Sequence, residues 1–110
     1  MDDRTERIGL NEALFREVNE RVKAINEGFG DPLPKTEFVC ECGQDSCTER
    51  VRMTLDAYEE LRSNPRRFAI RPGHEIPDVE TVVEEHDGYV VVEKHAGDPA
   101  AVAEDTDPRS

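Results

Sequence analysis

Between Thr5 and Glu27 apolar side chains recur at Ile8, Phe15, Val18, Val22 and Ile25 in alternating steps of three and four, with Asn11 in one slot and Phe29 beyond. That period matches the turn of an α-helix, so the segment is expected to be an amphipathic helix with one apolar stripe. Such a stripe seats a helix on its own domain or, in a/d spacing, pairs it with another helix. Asn11, at a d-like position, is the kind of polar insertion that sets register in a helical pair. Gly28 and Gly30 end the pattern, and Asp31-Pro32-Leu33-Pro34 makes a stiff, non-helical link. Residues 1–30 are therefore expected to form a helix that meets a protein partner or makes a homo-oligomer.

The period then changes. Thr36-Glu37-Phe38-Val39-Cys40-Glu41 and Thr48-Glu49-Arg50-Val51-Arg52-Met53 read as two strands, the second alternating apolar with charged positions, and Gly43-Gln44-Asp45-Ser46 lies between them. Thr54 is a good helix N-cap before Leu55, Tyr58 and Leu61, and Asn64-Pro65 stops that short helix. Phe68 and Ile70 suggest a short strand before the Pro72-Gly73-His74-Glu75 turn. Val79 to Glu85 and Tyr89 to Glu93 flank Asp87-Gly88, a tight primed-type hairpin turn. The expected fold is thus α+β: an N-terminal amphipathic helix, a cysteine-bearing β-hairpin, a short helix and antiparallel strands. Residues 36–95 would form one small metal-stabilised domain. Residues 96–110, rich in Ala and Asp, offer little to pack and are expected to be a disordered tail.

Three cysteines, Cys40, Cys42 and Cys47, sit in one eight-residue stretch, and the chain contains no others. In a strand, residues i and i+2 project to the same side, so Cys40 and Cys42 can face one ion while Glu41 points away. Gly43 lets the backbone turn and brings Cys47 back across the hairpin tip. An odd number of clustered thiols favours a metal if a fourth ligand comes from elsewhere. His74, in its Pro-Gly-His turn between two strand candidates, is the best donor. His86 precedes a turn where a polar residue is expected anyway, and His95 opens the tail. The first reading is a zinc-type Cys3His site that holds the fold together, with Cys40, Cys42, Cys47 and His74 as ligands.

Other chemistries stay open beside it. A thiol-based redox regulator would pair Cys47 with Cys40 or Cys42, its thiolate favoured by Arg50 and Arg52. Iron–sulfur ligation uses such residues at other spacings. If water filled the fourth metal position, an enzyme would be conceivable with Glu75 as base, but three thiolates neutralise the ion and leave it a poor electrophile.

Charge narrows the partners. With 14 basic and 26 acidic side chains the formal net charge is −12, which repels phosphate backbones and anionic lipid at long range. Nucleic acid is therefore an unfavoured partner. The exception is the Arg50–Arg71 segment, where arginines outnumber acids and a small anion or nucleic-acid patch would centre on Arg66 and Arg67. No apolar run is long enough to cross a bilayer, and Met1-Asp2-Asp3-Arg4 lacks the features of a secretory signal, so a cytoplasmic location is expected.

The residues Phe38-Val39-Cys40-Glu41-Cys42 with Cys47, Arg50-Val51, Thr54 to Tyr58, Pro65 with Arg67-Phe68, Pro72-Gly73-His74-Glu75 and Tyr89 to Lys94 form a recurring pattern. Over about Asn11 to Lys94 the chain resembles a group of small cysteine-cluster proteins of high-GC bacteria. The resemblance implies one unit containing both the cysteine cluster and the Pro-Gly-His turn. It carries no activity with it.

Overall fold

The computed structural model describes residues 1–28 and 35–109. The expected helix end at Gly30 and the Asp31–Pro34 link, with Phe29, lie outside the described residues. The fold is α+β, in the order α1 (Asp3–Gly28), β1 (Thr36–Val39), β2 (Arg50–Met53), α2 (Leu55–Arg62), β3 (Arg67–Ile70), β4 (Glu80–His86), β5 (Tyr89–Lys94) and α3 (Asp98–Asp105). β1 and β2 make a two-stranded antiparallel ladder, and the second sheet has the order β3-β5-β4, also antiparallel.

Local chemistry accounts for the elements. Asp2 accepts from the N–H groups of Arg4 and Thr5 at 2.8 and 3.0 Å, which satisfies two donors at the start of α1. Thr54 caps α2 by accepting from Ala57 N at 3.0 Å. Gly88, at φ 87°, supplies the left-handed conformation that the tight turn between β4 and β5 requires. Phe38 of β1 stacks on Tyr58 of α2 with ring centroids 4.4 Å apart, and Val51, Met53, Leu61, Ala69 and Val91 close the core around them. A second apolar cluster joins Cys40 and Cys42 to Phe68, Ile70, Val90, Val92 and Ala103. The cysteines thus sit against the larger sheet.

Two expectations change. The buried residues of α1 are Ile8, Gly9, Glu12, Arg16 and Asn19, whereas Leu14 and Ile25 are 58% and 61% exposed. The stripe that faces the domain is mostly polar because its long side chains have internal partners. Arg16 donates to the carbonyls of Pro65 and Ala103 at 2.7 and 2.8 Å and lies 4.6 Å over the Phe68 ring. Asn11, the candidate register residue, donates its amide to Gly43 O at 3.0 Å within the same chain.

The segment 96–110, expected to be disordered, contains α3, which packs on α1 and buries Ala100, Val102 and Ala103. Small residues make this docking effective: a Cβ at Gly9 would come within 2.6 Å of Val102 Cγ1. Beyond α3, Asp107 pairs with the buried Arg62, and Arg109 bonds Glu20 and Glu59. Composition suggested a solvated tail, but its few apolar groups meet a surface shaped for them and Asp107 meets a buried arginine.

Candidate metal centre

The hairpin ladder runs one residue beyond β1, where Cys40 N donates to Glu49 O at 3.1 Å, and the chain then leaves for the second sheet. Glu41 makes that crossing. Its N–H donates to Ala69 O at 2.8 Å and its Oε1 accepts from Ala69 N at 3.0 Å, so the residue is clamped to β3 by two bonds. Its Oε2 accepts from Asn19 Nδ2 at 2.9 Å and from the Tyr58 hydroxyl at 2.7 Å. The side chain does point away from the thiols, but into a fully buried site rather than solvent. Burial pushes the Glu41 carboxyl up, against the hydrogen bonds from Asn19, Ala69 and Tyr58 that favour its charge.

Gly43 follows because the chain passes close to other elements. A Cβ there would meet Ile8 Cγ2 at 2.6 Å and Ile76 Cδ1 at 3.0 Å, so close approach, more than a sharp turn, is what calls for glycine. A turn bond from Cys47 N to Gln44 O at 3.1 Å then returns the third cysteine to the first two. His74 arrives from the opposite side. Its N–H donates to Arg71 O at 3.1 Å, with Gly73 at φ 90°, and the Gly73 N–H is held by Glu75 Oε1 at 3.0 Å.

Cys40, Cys42, Cys47 and His74 each offer one ligand atom, and these atoms lie within 4.8 Å of one another. His74 Nδ1 is 3.5 Å from Cys40 Sγ and 3.7 Å from Cys47 Sγ. A tetrahedral zinc with bonds of about 2.3 Å to sulfur and about 2.0 Å to nitrogen would set that edge at about 3.5 Å. The arrangement is compatible with a metal site, and its donor set is that of a closed, four-protein-ligand centre. Cys40 and Cys42 are buried, while Cys47 and His74 are half-buried.

Backbone donors surround the sulfurs. Arg71 N–H donates to Cys40 Sγ at 3.2 Å, and the backbone N–H groups of Gln44 and Glu49 favour thiolate at Cys42 and Cys47. With thiols alone, Cys42 is pushed down to about 5, chiefly by the hydrogen bond from Cys40, and Cys40 is pushed up by giving that bond and by burial. Burial likewise pushes Cys47 up. One negative charge suits the cluster by itself; three require a cation among them.

The other sequence candidates stand apart. His86 Nε2 meets Glu84 at 2.8 Å and its ring stacks on Tyr89, and His95 Nε2 meets Thr81 Oγ1 at 2.8 Å. Glu75 is engaged by Gly73 N, as above. Arg66 and Arg67, the expected centre of an anion patch, are occupied: Arg66 pairs with Glu104 at 3.5 Å, and Arg67 with Glu93 at 2.9 Å and Glu84 at 3.2 Å. Sequence reasoning missed Glu41, Asn11 and Asn19 as supports of the loop. Only the position of Glu41 between two cysteines, at the inward phase of a crossing strand, could have drawn attention to it.

Comparison of the chain with protein-family models, with curated proteins and with solved structures finds no match. Among the described residues, no helix is long and apolar enough to cross a membrane.

Proposed function

We propose that Cys40, Cys42, Cys47 and His74 hold one zinc ion as a structural Cys3His site, in a small cytoplasmic protein that acts as an interaction or regulatory module. One observation carries the reading: three sulfurs and one imidazole nitrogen converge within 4.8 Å, with sulfur-to-nitrogen edges of 3.5 and 3.7 Å. Zinc suits soft thiolates with one imidazole, and four protein ligands leave it no open position for chemistry. The ion would join the hairpin, the crossing at Glu41 and the Gly73-His74 turn, so its binding energy would be folding energy.

Two features support an interaction role. A closed metal site leaves the surface as the working part of the molecule, and α1 carries Leu10 and Leu14, 50% and 58% exposed and one turn apart. A partner protein or a second copy of the chain would meet that face. The thiol-redox alternative draws less support, because two of the three sulfurs are buried away from oxidants.

Native mass spectrometry with elemental analysis tests the proposal. The expected result is one zinc per chain, with cooperative unfolding lost in chelator. Metal-free protein of unchanged stability would overturn the reading.

A further inference from the structure

The basic side chains divide sharply by partner. Among the described residues, every lysine and arginine outside Arg7 and Arg16 holds a carboxylate, except four: Lys35, Arg50, Arg52 and Arg71. Those four line one cleft of about 570 Å³ between the outer face of the β1–β2 hairpin and the turn after β4. Arg52 and Arg50 project from exposed positions of β2, and Arg50 bonds only the carbonyls of Thr48 and Glu49, at 2.9 and 3.5 Å. None of the four makes an ion pair among the described residues, although Glu37, Glu49 and Asp87 line the same cleft, and the remaining repulsion among the four cations is one that a bound anion would relieve.

We propose that this cleft binds a phosphate-bearing small molecule of up to nucleotide size. The arginine forks match phosphate oxygens in pairs, and Lys35 adds a point charge in the same cleft. The volume lies within the range of small-ligand sites. Glu37, Glu49 and Asp87, which line the same cleft, are placed to accept from hydroxyl or amino groups of the ligand. They also make the cleft a poor track for a polyanion, which the overall charge repels besides. The cleft abuts the metal centre: Arg71 N–H bonds Cys40 Sγ, and the N–H of Glu49 faces Cys47. The proposal rests on the basic cleft and not on the identity of any metal.

Isothermal titration of the full-length protein with pyrophosphate, with adenosine 5′-diphosphate and with a single-stranded oligonucleotide tests it, zinc content being measured on the same samples. One-to-one binding of pyrophosphate or the diphosphate is expected. It should weaken at least about tenfold in the Arg50→Ala, Arg52→Ala double variant and persist in the Arg66→Ala, Arg67→Ala double variant. Arg71→Ala, read separately, should weaken it as well. Both changes on β2 are at exposed positions, and an unaltered unfolding midpoint would confirm intact folding. Absence of binding at millimolar ligand, binding unaffected by the Arg50 and Arg52 changes, or preferential binding of the oligonucleotide would each overturn the proposal. Because zinc is counted independently, loss of the metal reading with retained phosphate binding, or the reverse, tells the two apart.

Discussion

The hydroxyl of Tyr58 donates to Glu41 Oε2 at 2.7 Å, joining α2 to the residue between the first two cysteines. Both groups are fully buried, so neither can exchange this partner for water. Tyr58→Phe leaves the Asn19 and Ala69 donors in place but removes one of three bonds to a buried carboxylate. The expected loss is about 1–3 kcal/mol of unfolding free energy, measured by urea titration. Glu41→Ala would strand the Tyr58 hydroxyl and the Ala69 N–H together and should lose more.

The site itself predicts a graded response. On the proposed zinc site Cys47→Ser would remove a ligand and should lower zinc affinity by more than the roughly 10–100-fold that loss of an outer-shell partner costs. Asn11→Ala removes only the bond to Gly43 O and should fall inside that range. Competition with a chromophoric chelator measures both. Equal affinities in Cys47→Ser and the wild type would remove Cys47 from the ligand set.

The grouping of Cys40, Cys42, Cys47 and His74 was legible because strand alternation and a glycine turn are local rules, and three cysteines in eight residues leave few other uses. The α1 surface was harder to read. An apolar stripe marks the buried face only when the opposing surface is apolar, and here α1 lies on carbonyls, a carboxylate and an arginine-stacked ring, so Arg16 and Asn19 are inside while Ile25 is outside. The C-terminal segment failed for a related reason. Ala100, Val102 and Ala103 are too few to announce a helix by composition, and their value comes from Gly9, more than ninety positions away.

Removing that helix should be costly. Truncation after His95 deletes one of the two carbonyls that Arg16 bonds and takes Asp107 from Arg62, whose side chain is 0% exposed and which then keeps Glu20 at 3.5 Å. Leaving a buried charge fully unpaired costs about 3–5 kcal/mol, and with Glu20 retained the loss at Arg62 falls below that. The truncated protein should show a lower unfolding midpoint, or no cooperative transition, by circular dichroism.

Gly9 offers a finer probe of the same contact. Gly9→Ala adds a methyl group that would sit 2.6 Å from Val102 Cγ1, and a valine in a packed helix has little room to yield. Overpacking of about 1–3 kcal/mol should outweigh the roughly 1 kcal/mol that alanine contributes to helix propensity. Adding Val102→Ala should restore much of the loss, because the second change empties the space the first one fills. A double variant no more stable than Gly9→Ala alone would mean that α1 and α3 do not meet at this point.

Lys94 Nζ lies 2.7 Å from Glu12 and 3.0 Å from Glu80, with all three side chains buried, so one cation serves two carboxylates. Glu80 gives its other oxygen to Ile76 N at 3.0 Å, two residues from His74, while Glu12 Oε2 accepts no N–H or hydroxyl among the described residues. Burial, and then the hydrogen bond and charge of Glu80, hold the Glu12 carboxyl well above the usual carboxylate range. The sign follows from linkage: folded Glu12 keeps its proton where the unfolded chain has lost it. Its contribution to stability is full below the unfolded value and is lost as pH rises toward the raised folded value. Glu12→Gln removes this titration while keeping the shape of the side chain. The difference in unfolding free energy between wild type and Glu12→Gln should therefore shift against the wild type as pH rises through that window, whatever the metal contributes to each protein. A difference independent of pH would show that Glu12 ionises normally in the folded protein.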